Sequence, residues 1–159
     1  MKELTETFSV LVENKFGVLT RVAGLFSARG YNIDSLTVSH TETPDYSRMT
    51  IVTHGDSDIL EQIEKQLTKL IEVVQVQRLT QGHFIVSELM LVKVGYHTQQ
   101  DRSDLLAKAA SFEAQVLADS DNAAVFRLTA TTERLNDFIA QLAPCSILEL
   151  ARTGCVALS

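Results

Sequence analysis

A glycine stands at the start of a predicted helix, in the segment 13–17 (ENKFG). The first backbone N–H groups of a helix have no partner inside it, and together with the helix dipole they favour a bound anion. Gly17 lets the backbone approach a ligand closely, and the Asn14 amide can donate or accept a hydrogen bond. These residues indicate non-covalent capture of a small carboxylate. A plain turn, with Asn14 as a local cap, explains them equally well.

A second polar residue, Asn32, follows the predicted end of the same helix, after the segment 29–31 (RGY). Its amide offers the acceptor that an ammonium group requires. Asn32 is therefore either a recognition residue for a ligand's ammonium group or a simple turn residue.

Residues suited to covalent, acid–base or metal chemistry are sparse. The four histidines are scattered, without the H-x-x-x-H spacing of a metal site: His40, His54, His83 and His97. The chain has no G-x-S-x-G elbow and no P-loop, and one glycine at a helix start does not make a dinucleotide-binding fingerprint. Cys145 and Cys155 are too few for a disulfide framework, and two reduced thiols are the favoured interpretation over a single bridge. The pattern predicts neither an enzyme nor a metal site.

The bulk composition limits the possible partners. The chain has 159 residues, of which 45% are apolar and 21% charged, with a net charge of −6. An acidic chain without a basic run is a poor nucleic-acid binder, because phosphate contacts supply most non-specific affinity. No stretch approaches the roughly 18 apolar residues of a membrane span, and the first residues do not resemble a secretion leader. We expect a cytoplasmic protein.

The first half of the chain has the element order βαββαβ. Short β-rich stretches are predicted at 7–12, 32–41, 47–55 and 71–79. The first predicted helix begins near Val18 and ends at Gly30, because helices commonly end at a residue with left-handed backbone angles, usually glycine. A second helix is predicted from the spacing of Ile59, Ile63, Leu67 and Leu70. Asp58 with Glu61 resembles a capping box at its start.

The second half repeats this order. Strands are predicted at 87–95, 113–120, 123–130 and 146–154, and helices at 101–112 and 131–142, the latter capped by Thr131 or Thr132. Two βαββαβ units indicate an α+β protein with two ferredoxin-like domains, here assigned to residues 1–80 and 81–159. The join lies near 80–87.

The strand order expected for each unit is 4-1-3-2, since crossovers between parallel strands are right-handed. The second strand is then an edge, and residues 32–40 carry apolar side chains on both faces. An unprotected edge is a liability unless another chain pairs with it. We therefore expect a side-by-side homodimer through the first domain.

Three segments resemble a known family: 9–38 (SVLVENKFGVLTRVAGLFSARGYNIDSLTV), 47–52 (SRMTIV) and 60–76 (LEQIEKQLTKLIEVVQV). They are similar to the small, regulatory subunit of acetohydroxyacid synthase (acetolactate synthase), whose first domain is an ACT domain, an amino-acid-sensing module. The segment 87–94 (SELMLVKV) resembles the start of that subunit's C-terminal domain.

The resemblance implies a site for a branched-chain amino acid, chiefly valine, between two chains. By position, the turn residues of one chain would receive the carboxylate through main-chain N–H groups: Asn14, Phe16, Gly17, Val18 and Leu19. Asn32 and Ile33 of the other chain would meet the ammonium group and the side chain. Phe16 stands where the family often has proline, a residue that is pre-organised at a helix start but dispensable there.

The resemblance also implies a function. The family's small subunit is not catalytic; it activates a catalytic subunit and confers feedback inhibition on it. Thiamine diphosphate, Mg²⁺ and FAD belong to that partner, so we expect no cofactor in this chain. A free-standing tandem ACT-type sensor acting on another target is the alternative. A small ferredoxin-like enzyme and an RNA-binding module rank lower, since acid–base groups do not converge and the third strand has no aromatic residue.

Overall fold

The computed structural model describes residues 3–79 and 84–158, and it confirms the α+β class and the repeated βαββαβ order. The first repeat comprises β1 (Leu4–Glu13), α1 (Val18–Arg29), β2 (Ser35–His40), β3 (Tyr46–Gly55), α2 (Ser57–Leu67) and β4 (Val73–Arg78). The second comprises β5 (Ile85–Gly95), α3 (Gln99–Ser111), β6 (Gln115–Asp119), β7 (Ala123–Ala130), α4 (Thr132–Leu142) and β8 (Ser146–Arg152). A short strand, β9 (Val156–Leu158), follows.

The first sheet has the order β2-β3-β1-β4, which confirms the predicted arrangement and the position of β2 at an edge. Its neighbouring strands are all antiparallel. Alternate β1 residues are fully buried: Phe8, Val10 and Val12. Because alternate side chains of a strand share one face, this face meets α1 and α2 to form the core.

Helix α1 is set by its two ends and one apolar face. Gly30 has φ +70°, and the N–H of Tyr31 donates to the Phe26 carbonyl at 3.0 Å. This is the usual way in which a residue with left-handed backbone angles ends an α-helix. The buried residues of the helix are Val18, Val22 and Phe26. Both ends of α1 therefore lie where the sequence predicts them.

The predicted capping box at Asp58 is wrong. Asp56 is the N-cap of α2, and its carboxylate accepts a hydrogen bond from the Ile59 N–H at 2.8 Å. Asp56 has extended backbone angles, whereas Asp58 lies inside the first helical turn, where its side chain is not placed to cap. At α4, Thr131 caps the helix and Thr132 is its first residue.

The second sheet repeats the topology, with the order β6-β7-β5-β8. Its helix-facing side packs a separate core around the fully buried Met90, Phe126 and Phe138. The repeat extends to a buried ion pair. In the first unit Arg78 lies opposite Phe8 in the sheet and forms an ion pair with Glu6, two residues before Phe8. In the second unit Arg152 lies opposite Met90 and forms an ion pair with Glu88, two residues before Met90.

The last described residues belong to the first unit. The contacts between residues divide the chain into two compact units. The first ends at Ile85 but also includes the residues from Cys155 onward, and the second is Val86–Gly154. The Cys155 N–H donates to Ser35 Oγ at 3.3 Å, and the Ala157 N–H donates to Thr50 Oγ1 at 3.4 Å. The sequence shows no signal for this return. The predicted boundary between residues 80 and 81 lies outside the described residues.

Ala157 and Val156 allow a matched test of this return. Ala157 is 1% exposed and Val156 is 46% exposed. We expect Ala157→Asp to lower the free energy of unfolding by about 2–4 kcal/mol, because it buries an unpaired carboxylate. Val156→Asp should change it by less than about 0.5 kcal/mol. Urea unfolding of both variants measures this; equal effects would contradict the packing of the segment.

Candidate functional site

The start of α1 presents unsatisfied backbone donors. Its N-cap is Gly17, with φ +85°, ψ −8° and no side-chain cap. An L side chain rarely adopts this conformation, which explains the glycine. Within residues 3–79 and 84–158, the N–H groups of Leu19 and Thr20 have no hydrogen-bond acceptor. These donors are available to a ligand.

Helix α1 also differs from the other three described helices. Its first turn has no acidic residue, whereas the first turns of α2, α3 and α4 carry Asp58, Asp101 and Glu133. Those three helices are also capped by a side chain. Helix α1 is therefore the described helix whose own cap and first turn place no carboxylate at the positive end of its dipole.

The side chains around Gly17 have different surroundings. Asn14 Nδ2 donates to the Pro44 carbonyl at 2.9 Å, so this amide braces the β2–β3 turn. Phe16 is fully exposed and Leu19 is 42% exposed, whereas the Val18 side chain is buried in the core. Val18 has only main-chain atoms to offer a ligand, and its N–H donates to the Lys15 carbonyl at 3.4 Å.

The remaining predicted site residues lie beyond the other end of α1. Asn32 is exposed, and Ile33 is half-buried against the core. The twelve residues of α1 span about 18 Å at 1.5 Å per residue. One chain therefore does not bring Gly17 and Asn32 together around a small molecule, and a site that uses both requires a second copy.

Asn32 belongs to a polar cluster with Asp34 and His54. Asn32 Nδ2 donates to Asp34 Oδ1 at 2.6 Å, and His54 Nδ1 lies 2.8 Å and 2.7 Å from the two Asp34 oxygens. The hydrogen bond with Asp34, followed by the charge of that carboxylate, raises the pKa of His54 above its ordinary 6.5. Sequence reasoning missed both residues. The spacing Asn32-x-Asp34 was visible, but only the strand register brings His54 to it.

The titration of His54 gives a direct prediction. A histidine whose pKa is raised by folding adds stability below its unfolded pKa, near 6.5, and loses it as the pH rises through the folded pKa. We expect the imidazole proton shifts, followed by NMR, to give a pKa above 6.5 in the native protein. Asp34→Asn should move the pKa back toward 6.5. An unchanged pKa in that variant would contradict the pairing.

The corresponding turn of the second unit is already filled. Thr98 and Asp101 form a capping box at α3, and Asp101 Oδ2 accepts from the N–H groups of His97 and Thr98 at 3.3 Å and 2.9 Å. The hydrogen bonds with Thr98 are the main reason that the pKa of Asp101 is lowered. A fixed negative charge here opposes a carboxylate ligand, so the two units differ at this position.

Other kinds of site are not evident in the described part of the chain. Among these residues, no three or more His, Cys, Asp or Glu side chains are grouped to hold a metal ion. None of the helices that the structure describes is long and apolar enough to cross a membrane. Cys145 and Cys155 are not joined in a disulfide.

Comparison with known proteins first defines the class. Residues 8–75 match the family model described as the AHAS small subunit-like ACT domain. Residues 87–159 match the family model described as the small subunit of acetolactate synthase. The chain is thus a two-domain protein whose first ferredoxin-like domain is an ACT domain, as the sequence predicts.

Full-length relatives then define the family. The probable acetolactate synthase small subunit of Methanothermobacter thermautotrophicus is 42% identical over 159 residues, covering 100% of this chain and 95% of the relative. The isozyme 3 small subunit of Salmonella typhimurium is 46% identical over 155 residues, covering 95% and 93%. The crystal structure of the Thermotoga maritima small subunit has a TM-score of 0.88 and 36% identity, covering 99% and 97%. The chain belongs to the acetolactate synthase small-subunit family.

Proposed function

We propose that the chain is a regulatory subunit of acetolactate synthase, which activates a catalytic subunit and confers feedback inhibition by valine. The observation that supports this most is the start of α1, which has free N–H donors, no side-chain cap and no acidic residue in its first turn. Within a family of acetolactate synthase small subunits, such a turn is suited to the carboxylate of a feedback amino acid.

The ligand would bind at the seam of a homodimer. One copy supplies the N–H donors next to Gly17, and its partner supplies Asn32 and Ile33. The free edge of β2 is the element through which two ACT domains would pair side by side. The separation of the two residue sets by the length of α1 supports this arrangement, since neither set can enclose a zwitterion alone.

Inhibition follows if the subunit has two conformations that bind the catalytic subunit with different affinities. Valine can shift that equilibrium only by its differential affinity for the two. Coupling free energies of about 1–3 kcal/mol, typical of allosteric proteins, correspond to roughly 5–150-fold changes. A clamp between two chains provides such a difference, because it forms only when both chains are in register.

Catalysis is assigned to the partner. The catalytic subunit would hold thiamine diphosphate, Mg²⁺ and FAD, while this chain binds no cofactor and works in the cytoplasm. What supports this division is the family, whose relatives are small subunits of acetolactate synthase.

Reconstitution with a purified acetolactate synthase catalytic subunit tests the proposal. We expect the chain to increase acetolactate formation, and valine to reverse that increase in a saturable way. Failure to co-purify with the catalytic subunit, with valine binding intact, would favour a free-standing tandem amino-acid sensor. Absence of both activation and valine binding would overturn the proposal.

A further inference from the structure

The Asn32 side chain is held in one of its two orientations. An asparagine amide has a donor end and an acceptor end that differ little in shape, and the partners decide which way it points. Here the neighbour at 2.6 Å is Asp34 Oδ1. An ionised carboxylate only accepts hydrogen bonds. The Nδ2 end must therefore face Asp34, and the oxygen end faces away from it.

The group that orients Asn32 is itself fixed. The Asp34 N–H donates to the Val52 carbonyl at 2.8 Å, and its carboxylate lies against His54 Nδ1. The His54 ring in turn has Nε2 at 3.6 Å from Glu3 Oε1. Asp34 is thus tied to β3 through both its backbone and its side chain.

The Asn32 backbone is fixed from a second direction. The Asn32 carbonyl accepts from Thr53 Oγ1 at 2.5 Å, and Thr53 is fully buried. With the backbone held by Thr53, the rotations of the side chain remain, and the hydrogen bond to Asp34 restrains them. Both restraints leave the Oδ1 end of this exposed residue facing away from Asp34, and within the described residues no donor to it is found.

We propose that Asp34 is a positioning residue for amino-acid recognition: it turns the Asn32 amide so that the oxygen, and not the NH₂ group, meets the ammonium group of the bound amino acid. This inference rests on the proposed function. An ammonium group only donates hydrogen bonds, so a reversed amide would place its own donor, the NH₂ group, against the ammonium. Asp34 selects for amino acids over simple carboxylates without touching the ligand.

A direct role for Asp34 as the counter-ion of the ammonium is the competing explanation. The two explanations differ in the expected effect of Asp34→Asn. The substituted amide would have no charge, and it could either accept from Asn32 Nδ2 or donate to the Asn32 oxygen. The productive orientation would then survive in part, at a cost of about twofold in Kd, whereas charge pairing would be lost entirely. Asp34→Ala removes both.

The test is calorimetric titration of the full chain with two probes, valine and 3-methylbutanoate, which lacks the ammonium group. We expect Asp34→Ala to raise the Kd for valine roughly 10–100-fold, the range for a lost hydrogen bond to a charged group. The Kd for 3-methylbutanoate should change by less than about twofold, since the carboxylate end is untouched. Asp34→Asn should keep the valine Kd within about threefold of the wild type.

Each outcome of the titrations decides between the explanations. If Asp34→Ala raised the Kd for both probes equally, Asp34 would have only a structural role and the inference would be overturned. An unchanged Kd for valine in that variant would also overturn it. A loss in Asp34→Asn as large as in Asp34→Ala would replace positioning by direct charge pairing. Failure of the wild-type chain to bind valine at all would overturn the proposed function as well, which separates the two failures.

Discussion

Replacing Gly17 with aspartate is expected to abolish valine inhibition of the reconstituted enzyme while leaving activation by the subunit in place. The new carboxylate would lie among the N–H donors at the start of α1 and take the position of the ligand's own carboxylate. Like charges at one anion site exclude each other, and the helix dipole favours the resident one. We expect the Kd for valine to rise at least about 100-fold, the loss of roughly two charge-assisted hydrogen bonds.

The matched control for this variant is Gly17→Asn. Gly17 has φ +85°, so every side chain there is strained, but a Cβ at Gly17 would meet nothing within 4 Å. Asparagine tolerates positive φ better than most residues and has the shape of aspartate without its charge. It should weaken valine binding far less than aspartate does. Equal losses in both variants would point to backbone strain, and normal inhibition of Gly17→Asp would contradict the site.

Replacing Arg152 with methionine is expected to lower the free energy of unfolding by about 3–5 kcal/mol, because it leaves a buried carboxylate without its counter-ion. Glu88 is 5% exposed. Arg152 Nε and Nη2 donate to its two oxygens at 2.7 Å and 2.8 Å, and Thr132 Oγ1 donates at 2.9 Å. Urea unfolding measures the change. Arg127→Met is the control, since Arg127 is exposed and should contribute less than about 1 kcal/mol.

The loss in Arg152→Met should depend on pH. Burial raises the pKa of Glu88, but hydrogen bonds from Arg152 and Thr132 outweigh it, and the net shift is below the ordinary 4.5. A lowered pKa adds stability above the unfolded value that disappears as the pH falls through the folded one. Without Arg152 the burial effect dominates, so the variant should approach the wild type in stability as the pH drops toward 4. A difference that is constant with pH would contradict this account.

Elements were predictable where short-range chemistry specifies them. The β-rich stretch 7–12 placed β1, and Gly30 marked the end of α1. The error at α2 shows the limit of such reasoning. Asp56 and Asp58 are both good capping residues two positions apart, and only the extended backbone of Asp56 makes it the cap.

The candidate site was predictable in part. Gly17 carries its own signal, because positive φ at a helix start favours glycine. The sequence could not show that the Asn14 amide would donate to the Pro44 carbonyl, or that Asp34 would orient Asn32. The Asn14 contact joins residues 30 positions apart. The Asn32 contact is local, but several acceptors compete for any exposed amide, and the link from Asp34 to His54 depends on strand register.

By itself, the sequence determined the two βαββαβ units and the glycine turn, since each is specified by residues a few positions apart, and its longer segments indicated the family. The edge position of β2 was expected from an assumed strand order, which the structure confirmed. The tertiary structure alone decided the return of Cys155 onward to the first unit, the joining of His54 to Asp34, and the pairing of Glu88 with Arg152, 64 positions away. Such contacts depend on strand register and chain path. A shift of one residue in strand register would place the same side chains on the opposite face of the sheet.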